Sequence, residues 1–271
     1  MFKNTSHQDM DNPYVTLRQK LGRALFIPFV VLGDPDEKKS QEVIETLIKS
    51  GADALELGLP FSDPPADGPV IQAADKRALD SGIRIDDCFE IINAIQKKHD
   101  LLITLHAAYN LVMQRGIEKF FADCKKARVR SVLVVDLSLE HIPEIRSEAT
   151  KSSVTLVFVV SELTSEERLQ EMCKEDIEYF YLVSYLGVTG VENAVFEEHI
   201  RSNINRIRKL TDLPIFVGFG ISTPDHVSAT MNAGADGVIV GSRIVREIPD
   251  CKKIAEICTA LKEAVLLKNS Q

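Results

Sequence analysis

No apolar run in this chain is long enough to cross a membrane. The longest, such as VTLVFVV (154–160), fall far short of the roughly 20 residues a spanning helix needs. The N-terminus, MFKNTSHQDMDNPY, lacks an apolar core of signal-peptide length, so secretion is not expected. A basic excess is missing too. The formal charge of −8 argues against a surface for nucleic acid, which needs a concentrated basic face, although a local pocket for phosphate stays open. The five cysteines (Cys88, Cys124, Cys173, Cys251 and Cys258) are scattered without a CxxC pair, which points to reduced thiols of a cytoplasmic protein and not to a disulfide frame or a zinc site. The six histidines form no pair at metal-ligand spacing, which disfavours a zinc aldolase. Tryptophan is absent.

What the chain does contain is one alternation repeated eight times. The apolar runs are FIPFVVLG (26–33), ALELGLP (54–60), LLITLHA (101–107), SVLVVD (131–136), TLVFVVS (155–161), YFYLVS (179–184), IFVGFG (215–220) and GVIVGS (237–242). Segments with three- and four-residue apolar spacing separate them. In EVIETLIKSGAD, for example, Val43, Ile44, Leu47 and Ile48 share a face and Gly51 is placed to stop the helix. Eight strands alternating with helices imply an α/β protein with a parallel sheet closed as a (β/α)8 TIM barrel, for which 271 residues is an ordinary length. An open doubly wound sheet is the alternative, but its glycine-rich first turn is not supplied by VVLGDPD. With no linker in view, we expect a single domain over 15–271 after an N-terminal tail, or plug, of residues 1–14.

The barrel frames the most unusual strand residue. Side chains alternate between interior and helices, so in Ala54-Leu55-Glu56-Leu57-Gly58 the leucines face the helices and Glu56 points inward between small residues. A carboxyl group there is poorly solvated, which favours its neutral form and suits a general acid or base. The competing reading is an interior ion pair, yet none of the eight runs contains Lys or Arg. The same absence disfavours a Schiff-base aldolase.

Residues 61–69, FSDPPADGP, follow at the strand end where barrel enzymes keep their chemistry. Asp67 could fold back over the same mouth or simply cap the turn at Gly68. Asp63 is expected to face outward. Glycine clusters close later strands in SYLGVTGVEN, GFGIS and VGSRIV. Gly190, Gly220, Gly241 and Ser242 are therefore candidates for a phosphate cradle, with plain tight turns as the alternative. His106, at the end of the third strand, reads as a structural histidine.

The motifs FIPFVVLGDP, GADALELGLPFSDPPADGPVIQ, GVTG, GFGIS and GADGVIVGSRIV together resemble the tryptophan synthase alpha subunit family over about residues 16–265. That resemblance implies cleavage of indole-3-glycerol phosphate to indole and glyceraldehyde 3-phosphate, without a metal or organic cofactor in this chain. It implies that Glu56 transfers protons and Asp67 holds the indole N–H. It also implies that Phe29, Tyr181 and Phe219 wall the ligand, that Thr189 closes a loop on the aspartate, and that Gly190, Gly220, Gly241 and Ser242 hold the phosphate. Pro60 and Asp63 fall where the family meets its beta subunit, a pyridoxal-phosphate enzyme, in an alpha2beta2 heterotetramer. Several surrounding positions depart from the family pattern: Val31, Ala108, Ser138, Tyr185 and the segment VVSELT. These departures frame an alternative, a catalytically weak subunit kept to activate its beta partner.

Overall fold

The computed structural model describes residues 12–64, 66–184 and 193–267. Eight parallel strands, β1 (Leu25–Val31), β2 (Ala54–Gly58), β3 (Leu102–Ala107), β4 (Ser131–Val134), β5 (Thr155–Val160), β6 (Ile177–Val183), β7 (Ile215–Gly218) and β8 (Gly237–Val240), pair in chain order and close with β8 against β1. The alternation therefore does produce the expected barrel, with each strand within a few residues of its apolar run. Both faces of a parallel sheet are covered in this architecture, so none of the eight strands has an exposed residue, and β1, β2, β4, β7 and β8 are buried throughout.

The helices follow from their apolar stripes. Helix α2 (Glu37–Lys49) starts where the Asp36 side chain accepts the Lys39 N–H at 2.9 Å, a standard N-cap. It buries Val43, Ile44 and Leu47, while Ile48 stays half-buried at the edge of the stripe. Gly51, at φ +95°, turns the chain in a conformation that side chains resist. Helix α3 (Pro69–Asp80) begins with a proline in its first turn, where the missing N–H costs nothing. Its buried positions, Ile71, Ala74, Asp75 and Ala78, fall at helical spacing, so one of them is a carboxylate.

The lower end of the barrel is sealed. Helix α1 (Pro13–Leu21) is capped by Asn12, whose carboxamide oxygen accepts the Tyr14 and Val15 N–H groups and whose amide donates to the Glu178 carbonyl at 2.7 Å. Tyr14 is 1% exposed and packs edge-on to Tyr179 and Phe216. Its hydroxyl lies 2.9 Å from Thr104 Oγ1, which also meets Ser131 Oγ at 2.8 Å and the Tyr179 hydroxyl at 2.9 Å. The boundary placed after residue 14 thus falls inside a helix: Asn12 and Tyr14 are held because the capping side chain and the buried ring both find partners on the strands. With this layer closing one end, the interior reaches solvent through the mouth at the C-terminal strand ends.

Candidate active site

Glu56 is 2% exposed and points into the barrel, paired in register with Phe29 on β1 and Thr104 on β3. Its nearest ionisable neighbour is His106 on β3, with Nδ1 3.4 Å from Glu56 Oε1. The contact is close enough for an ion pair but poorly aligned as a hydrogen bond. Among the described residues, Glu56 Oε2 and His106 Nδ1 have no hydrogen-bond partner. His106 therefore is not the structural histidine expected from the sequence. Strand parity could have shown this, because the alternation that turns Glu56 inward also turns Thr104 and His106 inward, and His106 sits opposite Gly58.

Two more carboxylates look onto the same space. Asp67 is half-buried on the loop after β2; Gln72 Nε2 donates to its carbonyl at 2.7 Å. Burial raises the pKa of its carboxyl group, while the charge of His106 pulls it back. Asp75, 4% exposed on α3, is pushed up to about 7, by burial first and by the charge of Asp67 second. The Phe61 N–H donates weakly to Asp75 Oδ1 at 3.4 Å, and Oδ2 has no partner among the described residues. Asp75 escaped the sequence reading, although an aspartate within the apolar stripe of α3 was its signal. Burial alone would depress the basicity of His106, yet Glu56, Asp67 and Asp75 together raise it above the ordinary 6.5. The Tyr181 hydroxyl likewise carries the influence of both Glu56 and Asp67, behind a dominant effect of burial. The two carboxylates thus share neighbours.

The other interior carboxylates are neutralised by strong bases. Glu178 receives Arg130 at 2.9 Å together with the Thr155 hydroxyl. Asp34 holds Arg77 through two bonds of 2.7 Å. Asp53 binds Arg23 and Lys262, and Asp236 binds Arg18 and Arg208. Among the described residues no Lys or Arg pairs with Glu56, Asp67 or Asp75. A buried charge without a partner is costly, so such groups mark places where chemistry, not stability, sets the residue.

The walls are built around aromatic rings. The ring of Phe29 fills the space beside Glu56: a Cβ on Gly58 would lie 2.9 Å from it, and one on Gly241 3.0 Å. Gly58 is therefore small because Phe29 is large, and the room expected beside the carboxylate is already occupied. His106 stacks tilted on Phe29 at 5.5 Å. Tyr181 is buried with its ring 5.6 Å from that of Phe219, and its hydroxyl lies where a Cβ of Gly218 would be. Phe219 and Gly220 adopt φ +59° and +76° in succession, and the Ser184 hydroxyl donates to the Phe219 carbonyl. A left-handed phenylalanine is strained and is found where the surroundings enforce it. Phe219, Gly220 and Ser242 are exposed at the mouth and Gly241 is half-buried; Gly241 leads into the helical turn Ser242–Val245. Thr189, Gly190 and Tyr185 lie outside the described residues. Pro60 is buried at the end of β2, whereas Asp63 is exposed and accepts the Ser62 hydroxyl at 2.5 Å. Among the described residues, no group of three His, Cys, Asp or Glu could hold a metal ion, and no helix is long and apolar enough to cross a membrane.

A closed (β/α)8 barrel, sealed below and carrying at its C-terminal mouth carboxylates that no Lys or Arg neutralises among the described residues, has the architecture of a barrel enzyme. The comparisons with known proteins make this specific. The family model for the tryptophan synthase alpha chain matches residues 15–270, so the chain belongs to that family of lyases. A tryptophan synthase alpha chain from Methanoregula boonei is 44% identical over 226 residues, 83% of this chain and 85% of that one. Among solved structures, tryptophan synthase from Mycobacterium tuberculosis superposes with a TM-score of 0.85 at 26% identity, covering 96% of this chain and 98% of the other. A Pyrococcus furiosus structure, described in terms of mutual activation of the tryptophan synthase α2β2 complex, gives 0.79 at 30% identity, with coverage of 89% and 99%.

Proposed function

We propose that this chain cleaves indole-3-glycerol phosphate to indole and glyceraldehyde 3-phosphate, with Glu56 and Asp67 as its catalytic carboxylates. The observation that carries this reading is the contrast among interior carboxylates. Four are neutralised by Arg or Lys, whereas among the described residues Glu56, Asp67 and Asp75 at the mouth have only His106 as a basic neighbour.

Cleavage of this substrate is a retro-aldol reaction without net oxidation or reduction. A proton adds to indole C3, and the ring nitrogen becomes positively charged. The hydroxyl next to C3 then loses its proton and becomes a carbonyl as the carbon–carbon bond breaks. The bond electrons return to the ring and restore neutral indole. Glu56 gives and takes these protons in this reading, which its buried Oε2, without a protein partner among the described residues, supports. In this reading the Asp67 carboxylate accepts the indole N–H and meets the positive charge that develops on it, an interaction stronger in the transition state than in the ground state. Phe29, Tyr181 and Phe219 supply the apolar walls an indole needs. In this reading Gly220, Gly241 and Ser242, together with Gly190, receive the phosphate end, and Thr189 closes on Asp67.

Pro60 and Asp63, on the rim, are read as contacts to a beta subunit that carries pyridoxal phosphate and takes up the indole, in an α2β2 assembly within the cytoplasm. A subunit kept only to activate that partner has no use for buried carboxylates that no Lys or Arg neutralises, whose desolvation costs stability. Glu56→Gln keeps the shape and removes the titrating group. It should lower indole release by about 10²- to 10⁴-fold while binding of glycerol 3-phosphate persists. Wild-type turnover in this variant would remove the mechanism.

A further inference from the structure

His106 is the one basic side chain that faces the mouth carboxylates among the described residues. Its Nδ1 approaches Glu56 Oε1 to 3.4 Å, and the imidazole is only 9% exposed. β2 presents Glu56, the loop after β2 presents Asp67 and α3 presents Asp75, the three negative charges that act on the imidazole. β1 presents the Phe29 ring, and β4 pairs Leu133 beside it in register. Nothing in the reaction as derived above uses this histidine, and its Nδ1 has no hydrogen bond among the described residues to explain it as a structural group.

We propose that His106 is a positioning residue for Glu56: its imidazole, when protonated, is the counter-ion that stabilises the charge of the catalytic carboxylate and keeps it turned toward the mouth. This rests on the lyase reading of the same site. The physical reason is the sealed interior. A carboxylate 2% exposed inside the barrel is poorly solvated, so a neighbouring cation is what stabilises its charge there. Where the other interior carboxylates are fixed by arginines that never titrate, this one is held by a group that can release its proton. A partner of that kind leaves Glu56 able to change protonation state during the reaction, which a guanidinium would resist. The single contact through Oε1 also leaves Oε2 without a protein partner among the described residues.

The test compares the wild-type chain, in complex with its beta subunit, with His106→Gln. Glutamine keeps a hydrogen-bonding side chain and removes the charge. The proposal expects the acidic limb of the kcat/KM profile for indole release to move upward by about one to three pH units, with the two enzymes converging at high pH. A histidine that only fills space would lower the profile evenly at every pH, and an unmoved acidic limb would overturn the proposal. A second measurement needs no turnover. NMR titration of the imidazoles, with His106 identified by the resonance missing from His106→Gln, should place it above 6.5 in the wild type and lower in Glu56→Gln. An identical titration in both proteins overturns the pairing. If the wild type shows no indole release, the lyase reading fails, and the titration still decides between His106 and Glu56 as partners or strangers. If His106→Gln does not fold, as judged by thermal melting, His106→Asn takes its place in the profile.

Discussion

Asp75 holds its proton to about 7 because α3 buries it beside Asp67, so the folded chain binds a proton that the unfolded chain, with an ordinary aspartate near 3.8, gives up. The folded state binds more protons across that interval, and stability is therefore lost as the pH rises from about 4 through about 7. Asp75→Asn should flatten that decline and raise the unfolding free energy most at pH 8, by an amount on the order of 1–4 kcal/mol, as measured by urea unfolding across pH. An unchanged pH dependence would show that Asp75 is solvated. At Gly218 the constraint is steric. Gly218→Ala would put a methyl group 2.0 Å from the Tyr181 hydroxyl and 2.5 Å from the ring carbon bearing it, so the ring must leave its place. Overpacking of this kind costs about 1–3 kcal/mol, and denaturant unfolding of the variant should show it together with weakened ligand binding. Some of these residues were legible beforehand and some were not. Glu56 stood out because a charged residue inside an apolar strand breaks a period of two. His106 obeys the same period, but a histidine at a strand end is chemically ambiguous, and its significance appears only when Glu56 is seen 3.4 Å away on the next strand.

The elements were easier to read than their contacts. Each strand coincides with a β-branched or apolar run, because a sheet covered on both faces needs nothing else. The start of β6 was placed at Tyr179 and begins at Ile177, so Glu178 was missed as a strand residue. Its partner Arg130 lies just ahead of β4, outside the run, and pairing across strands is not written in local composition. Helix α1 was likewise under-read, since PYVTLRQKL carries only a weak apolar stripe and is held chiefly by Asn12 and one buried ring. That makes α1 a stability element with a clear signature. Tyr14→Ala should cost about 3–5 kcal/mol in urea unfolding, as large-to-small changes of aromatic core residues do. Tyr14→Phe removes only the contact to Thr104 and should cost about 1 kcal/mol. Equal costs for both would mean that the hydroxyl layer, not the ring, seals the barrel floor.

At the scale of the whole molecule, the barrel separates stability from chemistry by its two ends. The closed end joins Tyr14, Thr104, Ser131 and Tyr179 in a layer of hydroxyls and packs rings against one another. The open end gathers groups that would rather be in water: Glu56, Asp67, Asp75 and His106. This division makes the departures from the family pattern, such as Ala108 and Ser138, changes to the surroundings of a site whose charged groups remain. Ala108 is buried, and Ser138 Oγ meets His141 Nδ1 at 2.8 Å. The most direct measurement is one assay that follows indole-3-glycerol phosphate consumption and tryptophan formation together, with this chain alone and with its beta subunit. The account predicts that the complex consumes the phosphate ester and forms tryptophan in step with it. Faster conversion of added indole to tryptophan, with the phosphate ester left untouched, would contradict it.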